Sequence, residues 1–167
     1  TKKISPGGHW INITSLACKK SNADFMQSAE AYACVAVTLA DAFISCWDEK
    51  YRSNYVRPET VINKYFAPEW QPYIQTPPFP EYTSGHASGS GAASEVLTTV
   101  FSDNYAFTDN TWEGKYPSRN FKSFYEYANE ATISRLYGGI HYRLGNENGQ
   151  KNGKEIAKNI LKLKFAK

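Results

Sequence analysis

The sequence contains little methionine, histidine or cysteine: one methionine, three histidines and three cysteines among 167 residues. Three cysteines cannot all pair within one chain, and Cys18, Cys34 and Cys46 lack the spacing of a zinc site. Cys34 and Cys46 fall on one predicted helix, about 18 Å apart at 1.5 Å per residue, which is too far for a disulfide. We therefore expect all three to be small buried side chains.

The chain also lacks long apolar runs and any strong excess of one charge. No uninterrupted apolar run reaches the ~18–20 residues of a spanning helix, so we expect no membrane span. The net charge is only +3, and the one basic cluster lies in residues 151–167, where it suits a solvated helix face. Nucleic acid is therefore not an expected partner. The oligomeric state stays open.

The N-terminus, Thr1-Lys2-Lys3, shows neither a methionine nor a signal pattern. We expect a processed or excised piece of a longer chain. It would be soluble, and exported or periplasmic with its signal already removed.

Helical patterning dominates what is present. Asp24 is placed to cap a long helix whose small residues recur every three to four positions. The length suits one domain over residues 1–167, and we predict an all-α helical bundle. The predicted helices are Trp10–Lys20, Asp24–Asn54, Pro58–Tyr65, Gly85–Phe101, Phe121–Gly138 and Asn148–Phe165. Two loops are predicted, a proline-rich one over Ala67–Thr83 and a second over Ser102–Asn120, and no strand.

Three sets of residues suit a site that holds a tetrahedral oxyanion. Arginine offers a planar fork of donors and lysine a point charge. A serine and a glycine at a helix start add free backbone N–H groups, and two imidazoles can serve as acid, base, nucleophile or metal ligand. Gly138-Gly139 can bend the chain so that the last arginine and histidine meet. The sets are Lys50 with Arg57-Pro58, then Ser84-Gly85-His86, then Arg135 with His141.

Each residue also has an ordinary interpretation. Lys50 and Arg57 alone would be solvated cations at a helix end. His86 alone could cap a helix, and His141 could be a packed, hydrogen-bonded histidine. The third histidine, His9, follows Pro-Gly-Gly, which is a turn signal. We predict a structural role for His9 near the pocket mouth, with an accessory catalytic role as the alternative. The joint spacing favours the oxyanion site.

The pattern K-x6-R-P, S-G-H, S-R-x5-H resembles the superfamily of type 2 phosphatidic acid phosphatases, bacterial acid phosphatases and vanadium-dependent haloperoxidases. The sequence Pro77-Pro78-Phe79-Pro80-Glu81-Tyr82-Thr83, before S-G-H, and Trp47 are most similar to the chloroperoxidase branch. Members of that branch are much longer, so the chain resembles their C-terminal catalytic half. The resemblance implies the helical bundle of this superfamily.

The resemblance also implies roles for the residues of the pattern. Lys50, Arg57, Ser84, Gly85 and Arg135 would bind the oxyanion. His86 would be the acid/base group, and His141 would bond to phosphorus or coordinate vanadium. Trp47 and Phe79 would shape a halide pocket if halide is used, although in so aromatic a chain they fit a core equally well.

Two positions depart from the phosphatase pattern. Thr83 stands where proline is expected before S-G-H. Gly145 stands where an aspartate would orient the last histidine; a backbone carbonyl could replace it. The missing aspartate weakens the phosphatase interpretation more than the haloperoxidase one.

Three functions are compatible with these residues. The first is a haloperoxidase that uses vanadate and peroxide to oxidise halide. The second is a phosphatase that hydrolyses phosphate monoesters through a phosphohistidine at His141, with His86 protonating the leaving oxygen. The third is a degenerate domain that binds phosphate without turnover. Vanadate, or phosphate in its place, is the expected cofactor; the substrates would be halide and peroxide, or a phosphate ester.

Overall fold

A computed structural model describes residues 4–163. Helices α1, α2, α4, α5 and α6 form a bundle, with a short helix α3 and one β-hairpin at its periphery. The elements are α1 Pro6–Lys20, α2 Phe25–Ser53, α3 Pro58–Tyr65, α4 Gly85–Val100, β1 Phe107–Asp109, β2 Arg119–Phe121, α5 Phe124–Tyr137 and α6 Arg143–Ile160. The prediction of an all-α bundle is confirmed, with the small hairpin as an addition.

Helix ends follow the sequence signals. Asp24 caps α2 by accepting from the Gln27 N–H at 2.8 Å, and Asn54 closes it in the left-handed region at φ 50°. Pro58 opens α3 at its first turn. These ends determine the position of Lys50 in the last turns of α2 and of Arg57 just before α3.

Helix α4 is the centre of the bundle and packs against α1, α2, α5 and α6. It is buried over most of its length, and nine of its sixteen residues are alanine, glycine or serine. The closest approach is to α6: a Cβ on Gly153 would lie 2.8 Å from the Ala92 nitrogen and closer still to the Ser88 carbonyl oxygen. Small residues on both helices therefore allow backbone-to-backbone contact.

A layer of large side chains forms the hydrophobic core of the bundle. Trp10, Ile13, Val35, Leu97 and Phe124 are all buried there. The hairpin adds aromatic rings to this layer. All three cysteines are free and buried, as predicted.

The structure corrects several predicted boundaries. Helix α1 begins at Pro6 and not at Trp10, so the predicted Pro-Gly-Gly turn before His9 is the first turn of this helix. The predicted loop 102–120 contains β1 and most of β2, which are antiparallel with Phe107 opposite Phe121; strands of three residues are too short to show alternation. Phe121 is thus a strand residue, and α5 begins at Phe124 behind a Ser123 cap that accepts from the Glu126 N–H. Helix α6 begins at Arg143 and not at Asn148, and it ends at Ile160. Its Gly145 lies against Glu81, whereas Gly149 and Gly153 lie against α4. The predicted end at Phe165 lies outside the described residues.

By length and composition alone, the stretch Phe25–Tyr65, which contains α2, is apolar enough to cross a membrane, with mean hydropathy 1.4 in its best window. Small and polar residues interrupt this stretch, so no uninterrupted apolar run marks it in the sequence. In the bundle, one face of α2 packs against α1, α4 and α6, so α2 is a core helix of this domain.

Candidate oxyanion-binding site

Lys50 lies on the last turns of α2 and is fully buried. Its ammonium donates to the carbonyl oxygens of Pro80 and Glu81, both at 2.9 Å, and one of its three protons remains for another acceptor. Burial lowers the pKa of Lys50 to about 8. The interpretation of Lys50 as a solvated helix-end cation is wrong.

Arg57, the residue before α3, is 5% exposed and is likewise not a solvated cation. Its Nε donates to Phe79 O at 2.9 Å, and its terminal nitrogens donate to Ile140 O at 2.8 Å and Pro80 O at 3.2 Å. The same guanidinium lies 3.1 Å from His141 Nε2. Arg57 thus joins the proline-rich loop to the turn that carries His141.

His141 lies between α5 and α6 and is 5% exposed. Gly139, at φ +75°, makes the turn after α5, and a side chain there would meet the Trp70 ring and Pro72. The predicted break at Gly138-Gly139 is therefore present: Gly138 caps α5. The turn brings His141 next to Arg57.

The proton of His141 can be assigned from its partners. A guanidinium only donates, so the Nε2 beside Arg57 must be an acceptor. Nδ1 then carries the proton and donates to Glu81 Oε1 at 2.6 Å. Burial lowers the pKa of His141, partly offset by the bond to Glu81. The imidazole is therefore neutral, with its lone pair on Nε2.

Glu81 is a candidate site residue that the sequence did not indicate. It is 1% exposed, and its carboxyl accepts from His141 and from the Tyr142 N–H at 3.2 Å. A carboxylate, and not the suggested backbone carbonyl, therefore takes the place of the aspartate absent at Gly145. The only sequence signal was an acidic residue three positions before Ser84; its partner is 60 positions away.

Arg135 and His86 face the same region from α5 and α4. The buried Nε of Arg135 has no hydrogen-bond partner among the described residues. Its N–H is therefore available to donate to an oxygen of a bound anion. Burial, with Arg135 and His141 nearby, lowers the pKa of His86 to about 4. His86 is therefore neutral at pH 7 in the anion-free protein.

Ser84 and Gly85 form the start of α4. Ser84 is the N-cap and is fully buried. Gly85 faces the Trp47 ring, and a Cβ there would lie 2.9 Å from it. The N-terminus of α4 thus presents backbone N–H groups beside the aromatic side of the site.

Trp47 and Phe79 are partly buried and pack against each other, with ring centroids 5.2 Å apart. The Lys50 ammonium lies 5.6 Å from the Trp47 ring and 5.3 Å from the Phe79 ring, and Arg57 lies 5.2 Å from the Phe79 ring. The two rings therefore form a wall over the cations. Their halide role stays a prediction.

His9 lies elsewhere. Its Nε2 is 3.0 Å from Asp109 Oδ2, and Tyr127 OH donates to the same oxygen at 2.9 Å. These three line a cavity of about 450 Å³ that contains none of the predicted anion-binding residues. The predicted position of His9 near the mouth of the anion pocket is therefore wrong, because His9 lines a different cavity. Its structural role stays a prediction.

The arrangement of donors fits an oxyanion such as vanadate or phosphate. Three buried or half-buried cations, a helix N-terminus and a neutral imidazole lone pair converge on one end of the bundle. The unpartnered Arg135 Nε is the observation in this structure that tests the fit.

Comparison with known proteins agrees with this geometry. The family model described as "VCPO second helical-bundle domain" matches residues 30–166. The chain belongs to this vanadium haloperoxidase family. Its homologues are enzymes that use vanadium, as the resemblance of the sequence motifs predicted.

Three relatives show what share of a longer protein this chain matches. The crystal structure of a bacterial vanadium-dependent iodoperoxidase is 56% identical, with a TM-score of 0.91, over 96% of this chain and 39% of that one. A holo-type bacterial vanadium-dependent chloroperoxidase shares the fold, at 19% identity and a TM-score of 0.74, over 93% and 40%. Vanadium chloroperoxidase from Curvularia inaequalis is 25% identical over 74% of this chain and 28% of its own length. The chain thus spans well under half of these relatives.

Proposed function

We propose that this domain holds vanadate and uses it, with hydrogen peroxide, to oxidise halide. The observation that carries the proposal is the neutral His141, whose Nε2 lone pair lies among cations and opposite a buried carboxylate. The 56% identity to a protein named an iodoperoxidase makes iodide the first halide to test.

The residues would divide the work as follows. Arg135, Lys50 and Arg57 would hold the oxyanion charge, helped by Ser84 and the Gly85 N–H. His141 would ligate through Nε2, exchanging its bond to Arg57 for a bond to the metal. Bound vanadate would supply a Lewis-acidic centre that activates hydrogen peroxide toward halide.

The neutral state of His86 in the anion-free protein, where its pKa is about 4, suits this chemistry. A neutral imidazole can take a proton from incoming hydrogen peroxide at its ring nitrogen. A phosphatase would need the same residue protonated at the start, in order to protonate the leaving oxygen. Hydrolysis remains the second candidate because the cradle of cations and the activated His141 also suit phosphoryl transfer.

The Trp47–Phe79 wall would form the halide side. It lies over Lys50 and Arg57, so a halide held against the rings would be close to the cations and shielded from water. Oxidised halide would leave as hypohalous acid, while peroxide is reduced to water.

Halogenation of a phenolic dye, with peroxide and iodide or bromide, tests the proposal in vanadate-loaded protein. We expect turnover that requires vanadate, and slow hydrolysis of an activated phosphate ester in its absence. Trp47→Ala should reduce halogenation more than hydrolysis. Trp112→Ala, in the cavity lined by His9, is the matched control and should change neither.

Two results would point elsewhere. Hydrolysis without halogenation would favour the phosphatase. Loss of both activities with vanadate binding intact would mean a domain that binds the anion without turnover by itself.

A further inference from the structure

Glu81 is held by hydrogen bonds at both its backbone and its side chain. Its N–H donates to Tyr55 O at 2.9 Å, and its carbonyl oxygen accepts from Lys50. Its carboxyl accepts from His141 Nδ1 and from the Tyr142 N–H. The backbone of Glu81 is thus bonded to α2 and to the segment that joins α2 to α3. Its side chain is bonded to the turn between α5 and α6.

Gly145, on the first turn of α6, leaves the space that this carboxyl occupies. A Cβ at Gly145 would lie 2.9 Å from the Glu81 Cδ and Oε2, and closer still to Oε1. A longer residue at 145 would therefore displace the carboxyl from His141. The same geometry shows that a side chain growing from position 145 points to where the Glu81 carboxyl lies.

We propose that Glu81 is a positioning residue for His141, and that Gly145 is small in order to admit it. Glu81 keeps the proton on Nδ1 and the ring in place, so that the lone pair on Nε2 faces the bound oxyanion. In the anion-free protein Arg57 also holds this tautomer through Nε2. Once His141 exchanges that bond for the anion, Glu81 alone fixes the ring. This inference rests on the proposed oxyanion chemistry at His141.

If Glu81 acts through its carboxylate, a carboxylate supplied from position 145 should be able to replace it. Glu81→Ala should lower vanadate affinity roughly 10–100-fold, the usual effect of losing a partner that orients a metal ligand. Gly145→Asp alone should also weaken binding, because its side chain collides with Glu81. Combining Glu81→Ala with Gly145→Asp should recover affinity, since an aspartate at 145 then reaches the same place. A purely structural role for Glu81 predicts additive losses.

Two further variants calibrate the measurement. Glu81→Gln keeps the volume and one acceptor, so it should lose less affinity than Glu81→Ala. Glu147→Ala removes an exposed carboxylate from the same turn of α6 as Gly145 and should leave affinity unchanged.

The experiment is calorimetric titration of orthovanadate into the five variants and the wild type, with nitrogen-15 NMR of the His141 ring in the anion-free proteins. Arg57 should keep the proton on Nδ1 in all of these anion-free proteins. The Nδ1 proton of wild type should show the downfield shift of a hydrogen bond to a carboxylate, and this shift should be lost in Glu81→Ala and return in the double variant. Equal affinity in Glu81→Ala and wild type, or a double variant no better than either single change, overturns the proposal. If the wild type binds no vanadate, the proposed function fails, while the ring spectra still decide whether Glu81 fixes the proton.

Discussion

Acid should destabilise this protein through His86, and the size of the effect follows from its environment. The imidazole titrates near pH 6.5 in an unfolded chain, but its pKa is about 4 in the folded one. Between these two pKa values His86 is protonated in the unfolded chain but not in the folded one. The free energy of unfolding therefore falls as the pH falls. A shift of about 2.5 pKa units corresponds to ~3 kcal/mol, lost between pH 7 and pH 4.

Urea unfolding at pH 7, 5.5 and 4, in buffers free of phosphate and sulfate, measures this loss. His86→Gln cannot titrate, so it should lose ~3 kcal/mol less than wild type over the whole range, and ~1 kcal/mol less by pH 5.5. The depressed pKa of His141 acts in the same direction in both proteins and cancels. Parallel stability curves for the two proteins would refute the assignment of His86 as a buried neutral imidazole.

Two further predictions concern the α4–α6 contact and the buried lysine. Gly153→Ala should lower the free energy of unfolding in urea by about 1–3 kcal/mol, because the added Cβ meets the backbone of Ser88 and Ala92. The better helix propensity of alanine does not offset this clash. Gly7→Ala is the control: a Cβ there lies 4.0 Å from its nearest neighbour, so the variant should be neutral or stabilising, and equal effects of the two changes would contradict the packing. Sulfate, whose charge is constant in this range, should bind more weakly as the pH rises through about 8, where Lys50 loses its proton. Calorimetry on Lys50→Met should show weaker binding without that decline.

The sequence was sufficient to place most of the site on the right elements. The spacing from Lys50 to Arg57 and from Arg135 to His141 is local, so helix ends and the Gly138-Gly139 turn determine where these side chains emerge. Asp24 and Ser84 mark helix starts by the ordinary capping preference, and the structure has both caps.

What the sequence could not show depends on contacts distant along the chain. The hydrogen bond between Glu81 and His141 joins residues 60 positions apart. Neither residue's local sequence predicts this bond. Gly145 lowers helix propensity where α6 begins and hid that start, although it is required by the close contact with Glu81. Gly149 and Gly153 are likewise required by close contact with α4. The burial of Lys50 depends on carbonyls that only the folded loop supplies.

The most direct test of the account is whether the cations bind the oxyanion. Calorimetry with orthovanadate should show one site in wild type. Arg135→Ala should weaken it by roughly 10–100-fold, the value of a charge-assisted hydrogen bond of about 1.5–3 kcal/mol. Arg143→Ala removes an exposed arginine and should bind as wild type does. Equal affinity in wild type and Arg135→Ala would contradict the oxyanion site.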